Sequence, residues 1–417
     1  MNKEKLLLWT LAAINFTHIV DFMILMPLGP QLMRIFEISP REFGLLVSSY
    51  TFSAGISSFL GAFFLDKYDR RTITLWVFTG FLLATLACAF SPNYPILLTS
   101  RIIAGLFGGL TSALILAIIG DVIPDSRRGR AMGLVMAAFS VASVFGVPFG
   151  LFIASISNWH APFFFLAAIS LVILWMIYNY LPSITAHKEN GHTKPSPVQV
   201  IKRVTSNPNQ MKAITLTIMM MLGQFMIIPF ISPYMVTNVG FSDMELTYIY
   251  MAGGLFTIFT SPWVGKMTDL HGKVKIFVIF MSLNLIPIGV ITHLGQAPIP
   301  YVLLITTLFF VTSNGRMVPA MALITGTAKS ENRGSFLSFN SAVQQLSAGL
   351  ASFVAGLILA EGMNGELINY NFVGYIAIFL SVLCIPLAGR IKIVDIEGPL
   401  VDLRRDLNQE KEKAVEG

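Results

Sequence analysis

Asp21 lies in the stretch NFTHIVDFMILM, Asn15 to Met26, among residues otherwise suited to lipid. An ionised carboxylate in hydrocarbon is costly, so such residues usually face a protein interior or a water-filled cavity. A carboxyl there can change its protonation state, because burial favours the neutral acid and a neighbouring arginine favours the anion. Asn15, His18 and Asp21 recur every three residues, which puts them on one helical face and predicts a polar stripe along a cavity. His18 reads as a hydrogen-bonded neighbour of Asp21 rather than a second proton carrier. Two cations, Arg101 and Arg316, also interrupt apolar runs. Arg316 could hold an anionic or carbonyl-bearing solute, or its long stem could carry the charge to the membrane surface. Gln224, Tyr248, Asn314, Asn340 and Gln344 are weaker candidates for lining the same cavity, since isolated polar residues in apolar helices often bond backbone.

These groups need a scaffold, and the composition indicates which. The chain has 417 residues, 54% of them hydrophobic and 12% charged, with a mean hydropathy of +0.71. Soluble domains carry about 25% charged residues, so this is the composition of a membrane protein. The net charge of +6 does not suggest nucleic acid, because the basic residues fall in short clusters between apolar runs. Cys88 and Cys384 both lie inside apolar segments without metal-ligand spacing, so no disulfide, metal site or cofactor is expected.

A span needs about 20 mostly apolar residues. Twelve such runs are present, at 6–29, 43–65, 72–91, 95–119, 130–155, 161–181, 211–236, 245–267, 274–294, 299–323, 335–360 and 369–388. The expected fold is all-α: twelve transmembrane helices in two six-helix bundles, 1–181 and 211–388. Residues 182–210 read as a linker with a short amphipathic helix, and 389–417 as a tail. The N-terminus, the loops at 66–71, 125–130, 182–210, 266–275 and 329–333, and the tail are basic, whereas the alternate loops largely lack Lys and Arg. Only Arg34 and Arg41 break that pattern. The positive-inside rule therefore predicts cytoplasmic termini.

Depth then links two of the charges. At about 1.5 Å per residue, Asp21 lies roughly 22 Å up span 1, about 8 Å below the outer edge of the hydrocarbon. Arg101 on span 4 lies roughly 9 Å below the same edge. The two are expected to pair, either as a proton switch or as a static ion pair that fixes helix packing. Arg316 comes out roughly 25 Å from the outer face, too deep to share Asp21.

The halves also resemble each other. GAFFLDKYDRRTITL after span 2 aligns with GKMTDLHGKVKIF after span 8, matching Asp66 with Asp269 and Arg70 with Lys273. PDSRRGRAMG after span 4 aligns with KSENRGSFLS after span 10, matching Arg128 with Arg333. On these motifs the chain resembles the major facilitator superfamily along almost its whole length. The loop after span 2 is similar to the family signature, with Asp66, Arg70 and Arg71 in register but Asp69 in place of a glycine. RIIAGLFGG in span 4 resembles the Arg-led motif of proton-coupled members. GVPFG, with Gly146, Pro148 and Gly150, resembles a shortened form of the antiporter motif in span 5, the variant of arabinose-efflux-like and drug:proton antiporters. The resemblance implies alternating access by two rocking bundles. It also implies a cytoplasmic latch in which Asp66 meets Arg128 or Arg130, and Arg70 or Arg71 meets Asp121, and a span 5 that seals against leak.

The expected function is proton-coupled export of a small, partly hydrophobic solute across a bacterial cytoplasmic membrane. The partners are the solute, protons and the bilayer, the energy source is the proton gradient, and the expected state is a monomer. An importer or facilitator on the same fold is the alternative, and a non-transporting receptor is less favoured. No His-Glu-x-x-His, Gly-x-Ser-x-Gly or nucleotide-binding loop occurs, so an enzyme is not expected. The 20 methionines and 33 phenylalanines suit an adaptable apolar cavity but serve lipid contact equally well.

Overall fold

A computed structural model describes residues 3–185, 196–329, 332–363 and 365–394, except the side chains of 3, 62, 64, 66, 125, 126 and 128–130. Residues 186–195 of the expected linker and the tail beyond 394 lie outside the described residues, as do the side chains of Asp66, Arg128 and Arg130.

Twelve spans are helical. Span 1 is Lys3–Ile24, span 2 Pro40–Phe64, span 3 Arg70–Ala89 and span 4 Tyr94–Val122. Span 5 comprises Asp125–Val141 and Val147–Ile156 joined by a π-helical turn, Ala142–Gly146. Span 6 is Ala161–Tyr180, span 7 begins as Pro208–Phe225 and span 8 is Asp243–His271. Spans 9 to 12 are Lys273–Ile291, Ile299–Thr325, Arg333–Ile358 and Tyr370–Gly389. Eleven of these helices are long and apolar enough to cross a membrane. Span 8 is the remaining one: between Glu245 and Lys266 its apolar run is interrupted by Gly253, Gly254, Thr257, Thr260, Ser261 and Pro262, which lower its hydropathy.

Side-chain caps fix where several spans begin. Ser39 and Glu42 form a capping box at span 2, and Ser242 and Glu245 do the same at span 8. Asn93 caps span 4 by accepting from the Ile96 amide. Such caps satisfy amides that have no partner within the helix. Within the expected linker, Ser196 caps the helix Pro197–Thr205, and its Val200 and Val204 are buried against the second half.

Spans 1 and 7 break at matching places. Span 1 stops at Ile24 and resumes as Gly29–Phe36, and span 7 stops at Phe225 and resumes as Ile228–Tyr234. Pro27 and Pro229 stand at these breaks; each lacks an amide N–H and crowds the carbonyl four residues back. The repeat thus extends to the irregularities of the helices.

The two resumed helices seal one end of the molecule. One continuous core there draws on both halves, with Ile24, Leu28, Leu32 and Phe43 from the first and Phe230, Ile231, Tyr234 and Tyr370 from the second. Phe43 and Phe230 meet edge to face at 5.7 Å. A Cβ on Gly44 of span 2 would lie 2.7 Å from the Ser352 carbonyl of span 11, so the seam is close to backbone on backbone. Arg34 and Asp243 bridge the halves at 2.6 Å on this same face. At the opposite end, where the described residues begin at Lys3 and stop at Val394, the core divides into two large clusters. One is built from spans 1, 3, 4, 5 and 6, and the other from spans 7, 9, 10, 11 and 12 with the linker helix.

Candidate functional site

Asp21 and Arg101 are in direct contact. Arg101 Nη1 donates to Asp21 Oδ2 at 2.9 Å and to the Asp21 carbonyl at 3.2 Å, and both side chains are buried. Thr85 of span 3 donates to the other carboxylate oxygen at 3.3 Å. The guanidinium carbon lies 4.4 Å from the centre of the Tyr50 ring, a cation–π contact that strengthens with desolvation. Spans 1, 2, 3 and 4 therefore all contribute to one buried charge cluster.

A second chain of polar groups starts at the same tyrosine. The Tyr50 hydroxyl and His18 Nδ1 are 2.9 Å apart, and His18 Nε2 lies 2.9 Å from Ser112 Oγ. A neutral imidazole donates through one nitrogen and accepts through the other, so His18 joins two hydroxyls and, contrary to the sequence expectation, is not the hydrogen-bonded neighbour of Asp21. Ser112 lies on span 4 about 16 Å further toward the basic face than Arg101. Thr85, Tyr50 and Ser112 were not singled out from the sequence. Only Ser112, eleven residues along span 4 from Arg101 and three turns deeper, offered a positional clue.

The close approach of spans 2 and 4 depends on glycine. A Cβ on Gly105 would stand 2.2 Å from Ser53 Oγ and 2.3 Å from the Tyr50 carbonyl. Gly105→Ala is therefore expected to force the spans apart at the Tyr50–Arg101 contact and to destabilise the protein by about 1–3 kcal/mol. Thermal unfolding in detergent measures this, and an unchanged midpoint would refute it.

Three sequence expectations for the cavity are corrected. Asn15 is buried and donates to the Val135 carbonyl of span 5 at 3.0 Å, so it ties two spans together and the polar stripe reduces to His18 and Asp21. Tyr248 is exposed on the stripe of Met244, Met251, Leu255 and Phe259, whose apolar character marks a lipid-facing surface; Tyr250 points inward instead and bonds Ser232 at 2.8 Å. Asn340 is buried and accepts from Thr217 at 2.7 Å, which joins spans 7 and 11. Asn314 accepts from Ser261 of span 8 at 3.2 Å, and Gln344 Nε2 lies 3.5 Å from Met321 Sδ.

Arg316 does not snorkel. It is fully buried, its Nη2 donates to Gln224 Oε1 at 3.4 Å, its Nη1 faces Met281 Sδ at 3.2 Å, and its Nε has no partner. No carboxylate pairs with it among the described residues.

The latch loop is partly assembled. Arg70, fully buried, donates from Nε to Asp121 Oδ2 at 2.7 Å. Arg71 turns away from Asp121: its guanidinium sits 4.8 Å from the Tyr178 ring of span 6 and bonds the Tyr178 carbonyl. Asp69, the departure from the signature, caps span 3 by accepting from Thr72 and also accepts from Ser183 and the Ile184 amide at 2.8 Å. Burial alone would raise its carboxyl, but these donors outweigh burial and hold it below the usual carboxylate range. The aspartate thus fastens the end of span 6 to the start of span 3, which a glycine could not do. In the second half, Asp269 is exposed and forms no ion pair with another described residue, and Lys273 and Arg333 open spans 9 and 11.

Span 5 packs as its glycines allow. A Cβ on Gly146 would lie 2.3 Å from Val20, and one on Gly150 would lie 2.6 Å from Ile24, so the pair rides on span 1 one turn apart. Pro148 offers no N–H to the Val144 carbonyl, and the turn Ala142–Gly146 adopts π geometry just before it. That turn meets Gly254 of span 8, whose added Cβ would lie 2.8 Å from Val144 Cα. Such π turns recur at functional positions.

The profile of the Major Facilitator Superfamily matches residues 11–216 and 213–399. The chain belongs to the major facilitator superfamily. It is a multi-pass membrane transporter rather than an enzyme. An uncharacterized MFS-type transporter of Bacillus subtilis (strain 168), YceJ, is 24% identical over 353 residues, 84% of this chain and 88% of the relative. A probable sugar efflux transporter of Helicobacter pylori (strain ATCC 700392 / 26695) is 25% identical over 258 residues, 61% of this chain and 63% of the relative. The superfamily fold is equally clear in a crystal structure of a D-xylose-proton symporter, at a TM-score of 0.72 and 18% identity over 91% of this chain and 96% of that one.

Proposed function

We propose that this transporter couples export of a small, partly hydrophobic solute to proton entry, with its basic face and both termini in the cytoplasm of a bacterium. The observation that carries the reading is the Asp21–Arg101 contact, an acid and a cation buried together at 2.9 Å. Proton binding at Asp21 removes the carboxylate that Arg101 neutralises, which changes the charge of a site shared by four spans. The return of the proton restores the pair. The His18–Tyr50 and His18–Ser112 contacts form a hydroxyl–imidazole chain from the neighbourhood of that pair toward the basic face, a path a released proton can follow.

With the basic face inward, the conformation is closed to the exterior by the shared apolar core and by Arg34–Asp243. Arg70–Asp121 ties span 3 to span 4 within the first half, and because it is intact while the exterior end is closed, it holds that bundle rigid rather than breaking as the inner side opens. Export is favoured over import because a probable sugar efflux transporter is among the relatives. Purified protein in proteoliposomes, challenged with candidate solutes under an imposed pH gradient, tests both parts. Solute moving opposite to protons is expected. Movement in the same direction would reverse the export assignment, and movement indifferent to the gradient would refute coupling.

A further inference from the structure

Arg101 and Arg316, both fully buried, occupy matching span pairs, and of these two only Arg101 has an acid among the described residues. In the first half, span 1 presents Asp21 to Arg101 of span 4. In the second half, the corresponding spans 7 and 10 present Gln224 to Arg316. The acid of one pair is replaced by a neutral amide in the other. Arg316 has five N–H donors, and its described acceptors are one amide oxygen at 3.4 Å and one thioether sulfur. An isolated buried cation is strongly disfavoured unless it is paired, and among the described residues this site has no counter-charge.

Gln224 is only half-buried, unlike the arginine behind it. Its neighbour Phe225 meets Phe22 of the first half, with ring centres 6.1 Å apart, and Phe22 stacks on Tyr50 at 5.4 Å. An aromatic bridge thus runs from the Gln224–Arg316 contact to the Tyr50 ring under Arg101. We infer that Arg316 and Gln224 form a solute-anion site, and that the cargo is a small organic acid whose carboxylate pairs with Arg316 while its apolar body lies on Phe22 and Phe225. A carboxylate matches the planar fork of a guanidinium through two parallel hydrogen bonds. Gln224 releases its weak bond to Arg316 and becomes a donor to the same carboxylate through its amide nitrogen.

This inference rests on the transporter reading, but its test does not need a proton gradient. Binding of 4-phenylbutyrate, 4-phenylbutyramide and 4-phenylbutylamine to purified full-length protein is measured at equal pH throughout. The carboxylate is expected to bind most tightly, at least about tenfold ahead of the amide, or about 1.4 kcal/mol. Arg316→Gln is expected to erase that preference, and Arg316→Lys to retain part of it. Gln224→Glu supplies an internal counter-ion and is expected to abolish carboxylate binding while leaving thermal stability at or above that of the unmodified protein. Equal binding of acid and amide, no binding of the acid, tighter binding of the amine, or undiminished acid binding in Gln224→Glu would each overturn the proposal. A protein that binds the acid yet ignores an imposed pH gradient would sink proton coupling and leave the anion site standing.

Discussion

Asp21→Asn is expected to keep solute exchange and lose accumulation. Asparagine has nearly the same shape: its carbonyl can take the oxygen position that accepts from Arg101 at 2.9 Å, and its amide nitrogen the position 3.3 Å from Thr85, whose hydroxyl can accept from it. It cannot bind and release a proton. A gradient of one pH unit carries about 1.4 kcal/mol per proton, enough to sustain an about tenfold solute gradient at one-to-one exchange. In proteoliposomes the unmodified protein should build such a gradient, and the variant should only equilibrate solute across the membrane. If Asp21→Asn still concentrates solute with ordinary pH dependence, the Asp21–Arg101 pair is a packing device and protons are coupled elsewhere.

Arg101→Ala is expected to be the most destabilising single change in the site. It strands a buried carboxylate, a loss that costs about 3–5 kcal/mol when one member of a buried pair is removed. It also removes the ring contact with Tyr50. The diagnostic step is a second substitution. Asp21→Asn in the Arg101→Ala background removes the stranded charge and should restore most of the lost thermal stability. A double variant as unstable as Arg101→Ala alone would mean that guanidinium packing, not charge compensation, dominates. The paired substitutions also separate folding from transport, since the restored protein should remain unable to couple to protons.

The sequence made the scaffold legible because lipid imposes a simple rule on helix length and composition. Each apolar run became a helix, including the run at 245–267 that forms span 8. Rise per residue was enough to bring Asp21 and Arg101 to one level, since a straight helix converts residue number directly into depth. The same ruler failed for side-chain direction. Tyr248 and Tyr250 differ by two residues and face opposite surroundings, and composition does not distinguish lipid from cavity. Asn15 and Asn340 looked available but are occupied by Val135 and Thr217 on neighbouring spans. The matched breaks at Pro27 and Pro229 were hidden because proline alone does not say whether a helix bends, stops or resumes. Thr85 and Tyr50 carry no unusual signal in an apolar helix, where hydroxyls commonly bond their own backbone, and Ser112 had only its position three turns below Arg101 to mark it.

The apolar seal also has a thermal consequence. With the basic face inward, opening the other end means bringing Leu28, Leu32, Phe43, Phe230 and Ile231 out of their shared core and into contact with water. Exposing apolar surface raises heat capacity by about 0.45 cal/K/mol per Å². The enthalpy of the transition therefore changes with temperature, and a plot of log turnover against reciprocal temperature should curve rather than run straight. Apolar association also weakens on cooling, so the closed apolar end is a warm-state structure whose hold relaxes as the temperature falls.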